Sequence, residues 1–236
     1  QNIISTKNIT IFKSKIGRRS KNEPIAYIFN TKEFMGLNFF VDQKSLIPRP
    51  ETELLIEPIM KIFKNKKLFF LEIGIGSGCV TLSLLKHFKH SRGVGIDVCK
   101  KTLKNCKMNL KKLKLENNCK LLHKSVDQLN NTKFDLVVSN PPYIVKRDIN
   151  RLSNDIKKFE PIIALDGGND GLDVIKKVIY KSTKVLKLNG ILALEIGNGQ
   201  FKAVKKLLIT NSFKIKFVIK DYENNIRCIF STLIKK

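Results

Sequence analysis

The tetrapeptide Asn140-Pro141-Pro142-Tyr143 directly follows an apolar run that begins near Phe134. Two consecutive prolines can neither donate to a sheet ladder nor continue a helix, so the run is predicted to be a strand that ends at Asn140. The side-chain oxygen of Asn140 and a proline carbonyl, that of Pro141, can each accept one N–H of a planar NH2 group. Pro142 stiffens the turn, and the ring of Tyr143 can pack on the planar group. These four residues are therefore the candidate catalytic residues.

A planar NH2 group on an sp2 carbon is a poor nucleophile because its lone pair is delocalised. Removing its proton first is unrealistic for a side chain near neutral pH, so positioning has to carry most of the catalysis. Two carbonyl-type acceptors hold the nitrogen with its lone pair aimed at an electrophile and stabilise the partial positive charge that develops there. The tetrapeptide alone leaves glutamine and adenine both open as the source of the NH2 group.

Glycines alternate with other residues over Gly74-Ile75-Gly76-Ser77-Gly78, between a predicted strand and a predicted helix. A turn without Cβ atoms lets a ligand approach the backbone and the helix N-terminus. The next predicted strand ends at Asp97, 19 residues after Gly78, where a carboxylate can accept hydrogen bonds from both hydroxyls of a ribose. The glycine turn alone fits tight packing equally well, but together the two features favour a nucleoside cofactor.

The spacing of the glycines and one nearby acid narrow the choice of cofactor. A dinucleotide site would prefer G-x-G-x-x-G, whereas residues 74–78 follow G-x-G-x-G. Glu72 precedes the loop by two residues and suits a ligand with an amino group and a sulfonium better than one with two phosphates. S-adenosylmethionine is therefore the predicted cofactor, and the loop resembles the first motif of class I methyltransferases.

Apolar, β-rich runs alternate with amphipathic, lysine-bearing stretches from residue 68 onward. This alternation predicts a doubly wound α/β fold with a mostly parallel, seven-stranded, Rossmann-like sheet covered by helices on both faces. A long helix is predicted to end at Asn189-Gly190. The last two predicted strands follow each other without a helix, which indicates an antiparallel pair at the sheet edge. Before this region, residues 23–50 are predicted to form a hairpin and linker.

Composition and charge limit the partners that the chain can have. Its 236 residues fit one α/β domain of about 200 residues with a short appendage. The net charge of +25 suggests a polyanionic partner such as nucleic acid. However, 38 Lys and only 7 Arg are spread along the whole chain, a pattern that fits a drifted genomic composition at least as well. Direct nucleic-acid binding is therefore the less favoured interpretation.

Metal, membrane and disulfide chemistry are not predicted. The five cysteines show no ligand spacing, and His87 and His90 have no third ligand beside them. Residues 68–85 are apolar but contain Glu72 and three glycines in five positions, so they are predicted to be strand, turn and helix rather than a membrane span. A reducing, cytosol-like compartment is expected. Because the first residue is Gln1, the chain is expected to be a fragment of a longer protein.

Four segments carry a resemblance to a known enzyme family. They are NEPIAYIFNTKEFMGLNFFVDQKSLIPRPETELL (22–55), LEIGIGSGCVTLSLL (71–85), VVSNPPYI (137–144) and FEPIIALDGGNDGLDVI (159–175). In this order they resemble the peptide chain release factor glutamine methyltransferase family, and the first and last contain blocks that methyltransferases at large do not share. The resemblance implies methyl transfer from S-adenosylmethionine to the side-chain amide nitrogen of the glutamine in the Gly-Gly-Gln motif of class I release factors, in a bacterial cytoplasm.

The resemblance also implies roles for particular residues. Gly74 to Gly78, Asp97 and Asn140 would contact the cofactor, and Asn140 to Tyr143 the glutamine. The family usually has an acid and a large aromatic residue beside the adenine, where this chain has Ser125 and Val126. Val126 is therefore the cofactor-binding candidate at this place, and Asp127 is a candidate substitute for the missing acid.

The resemblance divides the chain into three parts. Residues 1–22 are interpreted as the remnant of a helical N-terminal domain for substrate recognition, 23–50 as a hairpin and linker, and 51–236 as the methyltransferase domain. A nucleic-acid adenine methyltransferase is the main alternative, because it faces the same planar-nitrogen problem and suits the charge, although no target-recognition segment is recognisable. A non-catalytic S-adenosylmethionine-binding or scaffold protein is a second alternative, but it would not need the intact tetrapeptide.

Overall fold

The alternating pattern folds as a seven-stranded sheet with helices on both faces, preceded by a two-stranded hairpin. The computed structural model describes residues 5–129 and 132–235. The hairpin consists of β1 (Lys32–Phe34) and β2 (Leu37–Phe39), and the main sheet consists of β3 (Phe69–Ile73), β4 (Arg92–Asp97), β5 (Cys119–His123), β6 (Phe134–Ser139), β7 (Leu186–Glu195), β8 (Phe213–Lys220) and β9 (Ile226–Leu233).

Helices connect these strands and also precede them. They are α1 (Thr6–Arg19), α2 (Ile25–Ile28), α3 (Pro50–Glu53), α4 (Ile56–Ile62), α5 (Cys79–His87), α6 (Lys100–Leu113), α7 (Asn154–Phe159), α8 (Asp173–Val185) and α9 (Phe201–Thr210). Three short 3-10 turns cover Val126–Gln128, Lys146–Arg151 and Ile162–Ala164. Within the described residues, no helix is both long and apolar enough to cross a bilayer.

The strand order of the main sheet is β5-β4-β3-β6-β7-β9-β8. Strands β3 to β7 run parallel, and β9 runs antiparallel to both β7 and the edge strand β8. The predicted fold class and the predicted antiparallel pair at the sheet edge are therefore confirmed. The order reverses between β3 and β6, which brings the glycine loop and the Asn-Pro-Pro-Tyr turn to neighbouring strand ends.

Two apolar layers cover the sheet because successive side chains of a strand point to opposite faces. Phe70 and Leu136 belong to the core on the side of the hairpin and of α4, α5 and α6, whereas Leu71 and Val137 belong to the core under α8 and α9. All four of these residues are fully buried. Burial on both faces explains why the central strands read as continuous apolar runs.

The helix predicted to end at Asn189-Gly190 ends four residues earlier, at Val185, so that prediction was wrong. Leu186 is extended and pairs with Phe134 of β6, which starts β7 at once. Asn189 has a positive φ of 62° and lies where the register between β6 and β7 shifts. The Asn-Gly pair therefore forms an irregularity within a strand instead of a helix cap.

The N-terminal part of the chain contains α1, α2 and the short hairpin. Residues 1–4 of the interpreted N-terminal remnant lie outside the described residues, as do residues 130, 131 and 236 of the interpreted methyltransferase domain. The hairpin is fastened to the main domain by Asn109 of α6, which accepts a hydrogen bond from Phe40 N (2.7 Å) and donates to Phe40 O (3.0 Å) and Ser77 O (2.9 Å). One side chain thus links the residue after β2 to the glycine loop.

Candidate active site

The loops that follow β3, β4 and β6 meet at the carboxyl edge of the sheet and line a cavity of about 270 Å³. This edge, at the reversal of strand order, is where open α/β sheets bind ligands. Eleven residues singled out in the sequence line the cavity: Glu72, Gly74, Ile75, Gly76, Ser77, Asp97, Ser125, Val126, Asp127, Asn140 and Pro142.

The glycine loop forms an open cradle at the floor of the cavity. Gly74 and Gly76 have positive φ angles of 76° and 57°, and a Cβ added at either position would meet nothing within 4 Å. The space that side chains would fill is thus left to a ligand. Gly78 does not line the cavity. A Cβ there would lie 2.7 Å from Cys106 Sγ, so this glycine serves the close packing of the loop against α6.

Asp97 closes the cavity at the end of β4. Its Oδ2 accepts a hydrogen bond from Gly76 N at 3.1 Å, and its Oδ1 accepts one from Cys99 N at 2.8 Å. A carboxylate has about four acceptor sites, so both oxygens can still accept from hydroxyls of a ligand. Burial raises the pKa of Asp97 despite these two backbone hydrogen bonds.

Glu72 is a buried acid at the cavity floor, one residue before the end of β3. Its Oε2 accepts a hydrogen bond from Thr81 N of α5 at 2.9 Å. Burial raises the pKa of Glu72 to about 8. A cationic group in the cavity would favour the ionised carboxylate, so this residue complements a positively charged ligand.

Ser125, Val126 and Asp127 all border the same cavity beyond β5. Val126 is 8% exposed, which makes it an apolar wall. The exposed Asp127 forms an ion pair with Lys177 of α8 at 3.6 Å. The structure therefore places an apolar side chain and an acid at the cavity wall where the resemblance implies contact with the adenine.

The Asn-Pro-Pro-Tyr turn lies between the first cavity and a second, adjoining cavity of about 180 Å³. Asn140 and Pro142 line both, whereas Pro141 and Tyr143 line only the second. Ser139 Oγ donates to Ile73 O at 2.8 Å and so holds the end of β6 against the end of β3. Asn140 is thus placed where a ligand in one cavity would meet a ligand in the other.

A hydrogen-bonded chain behind the turn connects it to two residues that were not predicted from the sequence. Asn140 Nδ2 donates to Thr52 Oγ1 at 3.0 Å, and Thr52 Oγ1 donates to Glu195 Oε2 at 2.7 Å. Tyr143 Oη donates to the other carboxylate oxygen, Glu195 Oε1, at 3.3 Å. Glu195 is completely buried at the end of β7. One carboxylate therefore contacts the turn at both of its ends.

The backbone of Tyr143 and Ile144 is held by the loop at residues 165–171. Ile144 N donates to Leu165 O at 3.0 Å, and Gly167 N donates to Ile144 O at 2.8 Å. A Cβ added at Gly167 would lie 2.8 Å from Tyr143 Cα, and one at Gly171 would lie 2.6 Å from Tyr143 O. Gly167 and Gly171 of the DGGNDG sequence are thus required by the close approach of two backbones.

Gln200 fixes the same loop from the start of α9. Its Nε2 donates to Tyr143 O at 3.0 Å and to Gly171 O at 3.1 Å, while its Oε1 accepts from Gly197 N at 2.8 Å. All the polar atoms of one side-chain amide thereby hold three loops together at the carboxyl edge of the sheet.

Arg49 and Glu160 join the first and the last of the four segments that carry the family resemblance. The Arg49 guanidinium forms an ion pair with Glu160 Oε1, and Glu160 Oε2 accepts from Ile47 N at 3.1 Å. The Glu160 side chain is 1% exposed. Arg49 lines both cavities, so the ion pair fixes part of their common wall.

Four further features of the site were not predicted from the sequence, namely Thr52, Glu195, Gln200 and the Arg49–Glu160 pair. For Glu195 a signal exists, because it ends an apolar run at the carboxyl edge of the sheet, as Asp97 does. Thr52 and Arg49 lie within the quoted IPRPET sequence, but nothing local assigns them partners. Among the residues that the structure describes, no three His, Cys, Asp or Glu side chains are grouped to hold a metal ion.

Comparison with known proteins identifies relatives that are methyltransferases. Residues 50–158 match the family described as methyltransferase small domain. A release factor glutamine methyltransferase of Clostridium acetobutylicum is 41% identical over 178 residues, which are 73% of this chain and 62% of that protein. A protein of the same name from Thermodesulfovibrio yellowstonii is 34% identical over 221 residues, which are 92% of this chain and 79% of that protein.

The solved structure of a methyltransferase from Pyrococcus furiosus has a TM-score of 0.64 at 20% identity and covers 94% of this chain and 98% of its own. Identity at that level shows the common fold alone. The chain spans less than two thirds of several curated relatives, 62%, 64% and 61% of three of them. The Thermodesulfovibrio yellowstonii protein, by contrast, is matched over 79% of its length. The chain belongs to the release factor glutamine methyltransferase family.

Proposed function

We propose that the chain transfers a methyl group from S-adenosylmethionine to the side-chain amide nitrogen of the glutamine in the Gly-Gly-Gln motif of class I peptide chain release factors, and so modulates translation termination. The observation that carries this proposal is the position of Asn140 at the junction of two cavities. The family of the chain supplies the kind of acceptor. The proposal also assigns the chain to the bacterial cytoplasm, where release factors act.

The first cavity has the donor and acceptor groups that S-adenosylmethionine requires. The open cradle at Gly74 and Gly76 admits the ligand to the backbone, and Asp97 can accept from the ribose hydroxyls. Glu72 complements the positive charge of the amino group and the sulfonium, and Val126 offers an apolar surface to the adenine. When bound, the cofactor supplies an electrophilic methyl group on a positively charged sulfur.

The second cavity supplies the surroundings of the acceptor amide. The Asn140 side-chain oxygen and the Pro141 carbonyl accept its two N–H groups, which turns the nitrogen lone pair toward the first cavity. Both acceptors stabilise the positive charge that develops on the nitrogen in the transition state. After the transfer the nitrogen releases one of its two protons to water, which leaves a neutral N-methyl amide. Tyr143, whose phenol is kept neutral by the rise in pKa that burial causes, packs beside the planar group.

Adenine in nucleic acid is the second candidate acceptor, and the net charge of +25 favours it. Its exocyclic amine presents the same planar NH2 group. The blocks around Arg49 and Glu160 favour glutamine, because they are typical of the family to which the chain belongs.

Transfer of labelled methyl from S-adenosylmethionine tests the proposal directly. The purified chain is incubated separately with a class I release factor, with the same factor whose acceptor Gln is changed to Ala, and with duplex DNA and RNA. We expect label on the unchanged release factor alone. Label on nucleic acid, or equal label on both release factors, would overturn the assignment.

A further inference from the structure

Resting on the proposed function, we propose that Glu195, acting through the hydroxyl of Thr52, is the positioning residue that orients the Asn140 side-chain amide with its oxygen toward the acceptor nitrogen. The reaction needs that oxygen, because only an acceptor can hold an N–H of the substrate amide. An Asn side chain presents an oxygen and an NH2 group of nearly the same shape, so its orientation is set by the hydrogen-bond network around it.

When Glu195 is ionised, the hydrogen bonds from Asn140 through Thr52 to Glu195 can run in only one donor-to-acceptor direction, which we call the polarity of the network. A carboxylate only accepts, so the single hydroxyl hydrogen of Thr52 goes to Glu195 Oε2 at 2.7 Å. Thr52 Oγ1 can then only accept from Asn140, and the atom that donates to it at 3.0 Å is Nδ2. Within residues 5–129 and 132–235, Asn140 Oδ1 accepts no hydrogen bond, which leaves it for the acceptor side.

Because the network is buried, the direction of its hydrogen bonds is fixed by the protein groups and not by water. Glu195 is 0% and Thr52 3% exposed, so water does not compete for their hydrogen bonds. Tyr143 Oη donates to Glu195 Oε1 at 3.3 Å, which occupies the second oxygen and ties the other end of the turn to the same carboxylate. Both ends of the Asn-Pro-Pro-Tyr turn thus depend on one buried acid.

Protonation of Glu195 would reverse the donor-to-acceptor direction of the hydrogen bonds through Thr52. A protonated acid can donate to Thr52, whose hydroxyl then donates to Asn140 Oδ1 and turns the NH2 group toward the substrate. Burial raises the pKa of Glu195 to about 7, against the effects of Thr52, Arg227 and Tyr143. The titratable and charged groups that act on Glu195 are Glu51 from α3, Tyr143 from the turn after β6, Arg227 and Cys228 from β9, and Cys79 from α5.

Nuclear magnetic resonance of the ligand-free protein tests this polarity without any substrate. The Asn140 side-chain NH2 signals, assigned by their loss in Asn140→Ala, should shift as the pH is lowered through about 7, where Glu195 gains its proton. The shift should vanish in Thr52→Val, which keeps the shape and removes the hydroxyl, and in Glu195→Gln, which removes the titration. Signals that titrate equally in wild type and Thr52→Val would overturn the proposal.

Kinetics distinguish a positioning role from a merely structural one. On a release factor, Thr52→Val should lower kcat on the order of 10²-fold, as expected when a reacting group is misplaced, and leave the Kd for S-adenosylmethionine unchanged. Thr52→Ser, which restores the hydroxyl, should recover most of the rate. Ser182→Ala is the matched control, because it removes a buried hydroxyl that bonds only within α8.

The two proposals fail separately. If Thr52→Ser is as slow as Thr52→Val, or if cofactor affinity falls in parallel with kcat, the positioning role is refuted while wild-type methylation stands. If the wild-type chain methylates no release factor but the pH-dependent shift of the Asn140 NH2 signals requires Thr52, the proposed substrate is wrong. The positioning role of Glu195 and Thr52 then stands.

Discussion

Thr52 Oγ1 and Glu195 Oε2 lie 2.7 Å apart, although the two residues are separated by 143 positions in the sequence. The contact joins α3 to the last residue of β7, directly behind the Asn-Pro-Pro-Tyr turn. It explains why a segment that precedes the sheet belongs to the active site. In the proposed mechanism the turn supplies the acceptors, and Thr52 and Glu195 set the direction in which the Asn140 oxygen faces.

Replacement of Asn140 separates catalysis from cofactor binding. Asn140→Ala removes one of the two acceptors proposed for the substrate amide but leaves the glycine cradle, Asp97 and Glu72 in place. We therefore expect kcat to fall on the order of 10²- to 10³-fold, the loss typical of a missing transition-state contact. Titration calorimetry should show a far smaller change in the Kd for S-adenosylmethionine than in kcat, because Asn140 is one of several residues that line the cofactor cavity.

The control for this experiment is Asn38→Ala, an exposed asparagine in β2 outside both cavities. It should retain wild-type kcat and Kd. Loss of cofactor binding by Asn140→Ala, together with normal turnover at saturating cofactor, would contradict this division of roles.

Gly171 allows a test of the close approach between its loop and Tyr143. Gly171→Ala places a Cβ 2.6 Å from Tyr143 O at a φ of 73°, whereas Gly36→Ala has nearly the same φ of 72° and open space around the Cβ. Both variants should lose about 1–2 kcal/mol in unfolding free energy from the left-handed backbone. Only Gly171→Ala must also displace the turn, so it alone should lose activity.

Urea unfolding and kcat on a release factor measure these two effects. If the two alanine variants lose stability and activity to the same extent, the contact with Tyr143 has no catalytic consequence.

Cofactor binding should release a proton from Glu72. Burial raises the pKa of this acid to about 8, so it is mostly protonated in the free protein at pH 7. A cationic ligand favours the carboxylate and lowers that pKa, so the affinity should increase as the pH rises toward 8. Calorimetry at pH 7 in two buffers with different ionisation enthalpies measures the released proton, and Glu72→Gln should abolish it. Identical proton release from wild type and Glu72→Gln would show that another group is responsible.

Glu72 also makes the free energy of unfolding depend on pH. Because the pKa of Glu72 is higher in the folded chain than in the unfolded one, the folded state binds more protons between the two pKa values. Its contribution to the free energy of unfolding is therefore complete at acidic pH and declines as the pH rises toward about 8. Glu72→Gln should flatten this decline in a series of urea unfolding curves.

The parts of the site that could be predicted from the sequence are those whose chemistry is local. Asn140 to Tyr143 are contiguous, and the glycine loop shows its turn geometry in its own spacing. The doubly wound order then brings these two segments to adjacent strand ends, so their proximity follows from the fold class.

The remaining residues act through contacts that no local pattern encodes. Thr52 is 88 positions from Asn140, and Gln200 is 57 positions from Tyr143, so their pairing depends on how loops fold at the sheet edge. The predicted end of helix α8 was wrong for a related reason. Asn189-Gly190 is a good helix stop in isolation, but pairing of Leu186 with Phe134 begins β7 first.

Tandem mass spectrometry of a class I release factor, incubated with this chain and S-adenosylmethionine, identifies the acceptor of the methyl group. The measurement locates the methyl group to a residue and to an atom. We expect one methyl group on the side-chain amide of the glutamine in the Gly-Gly-Gln motif, and none after incubation with Asn140→Ala. A methyl group on any other residue, or an unmodified glutamine in a factor that has taken up a methyl group, would contradict glutamine methylation by this chain.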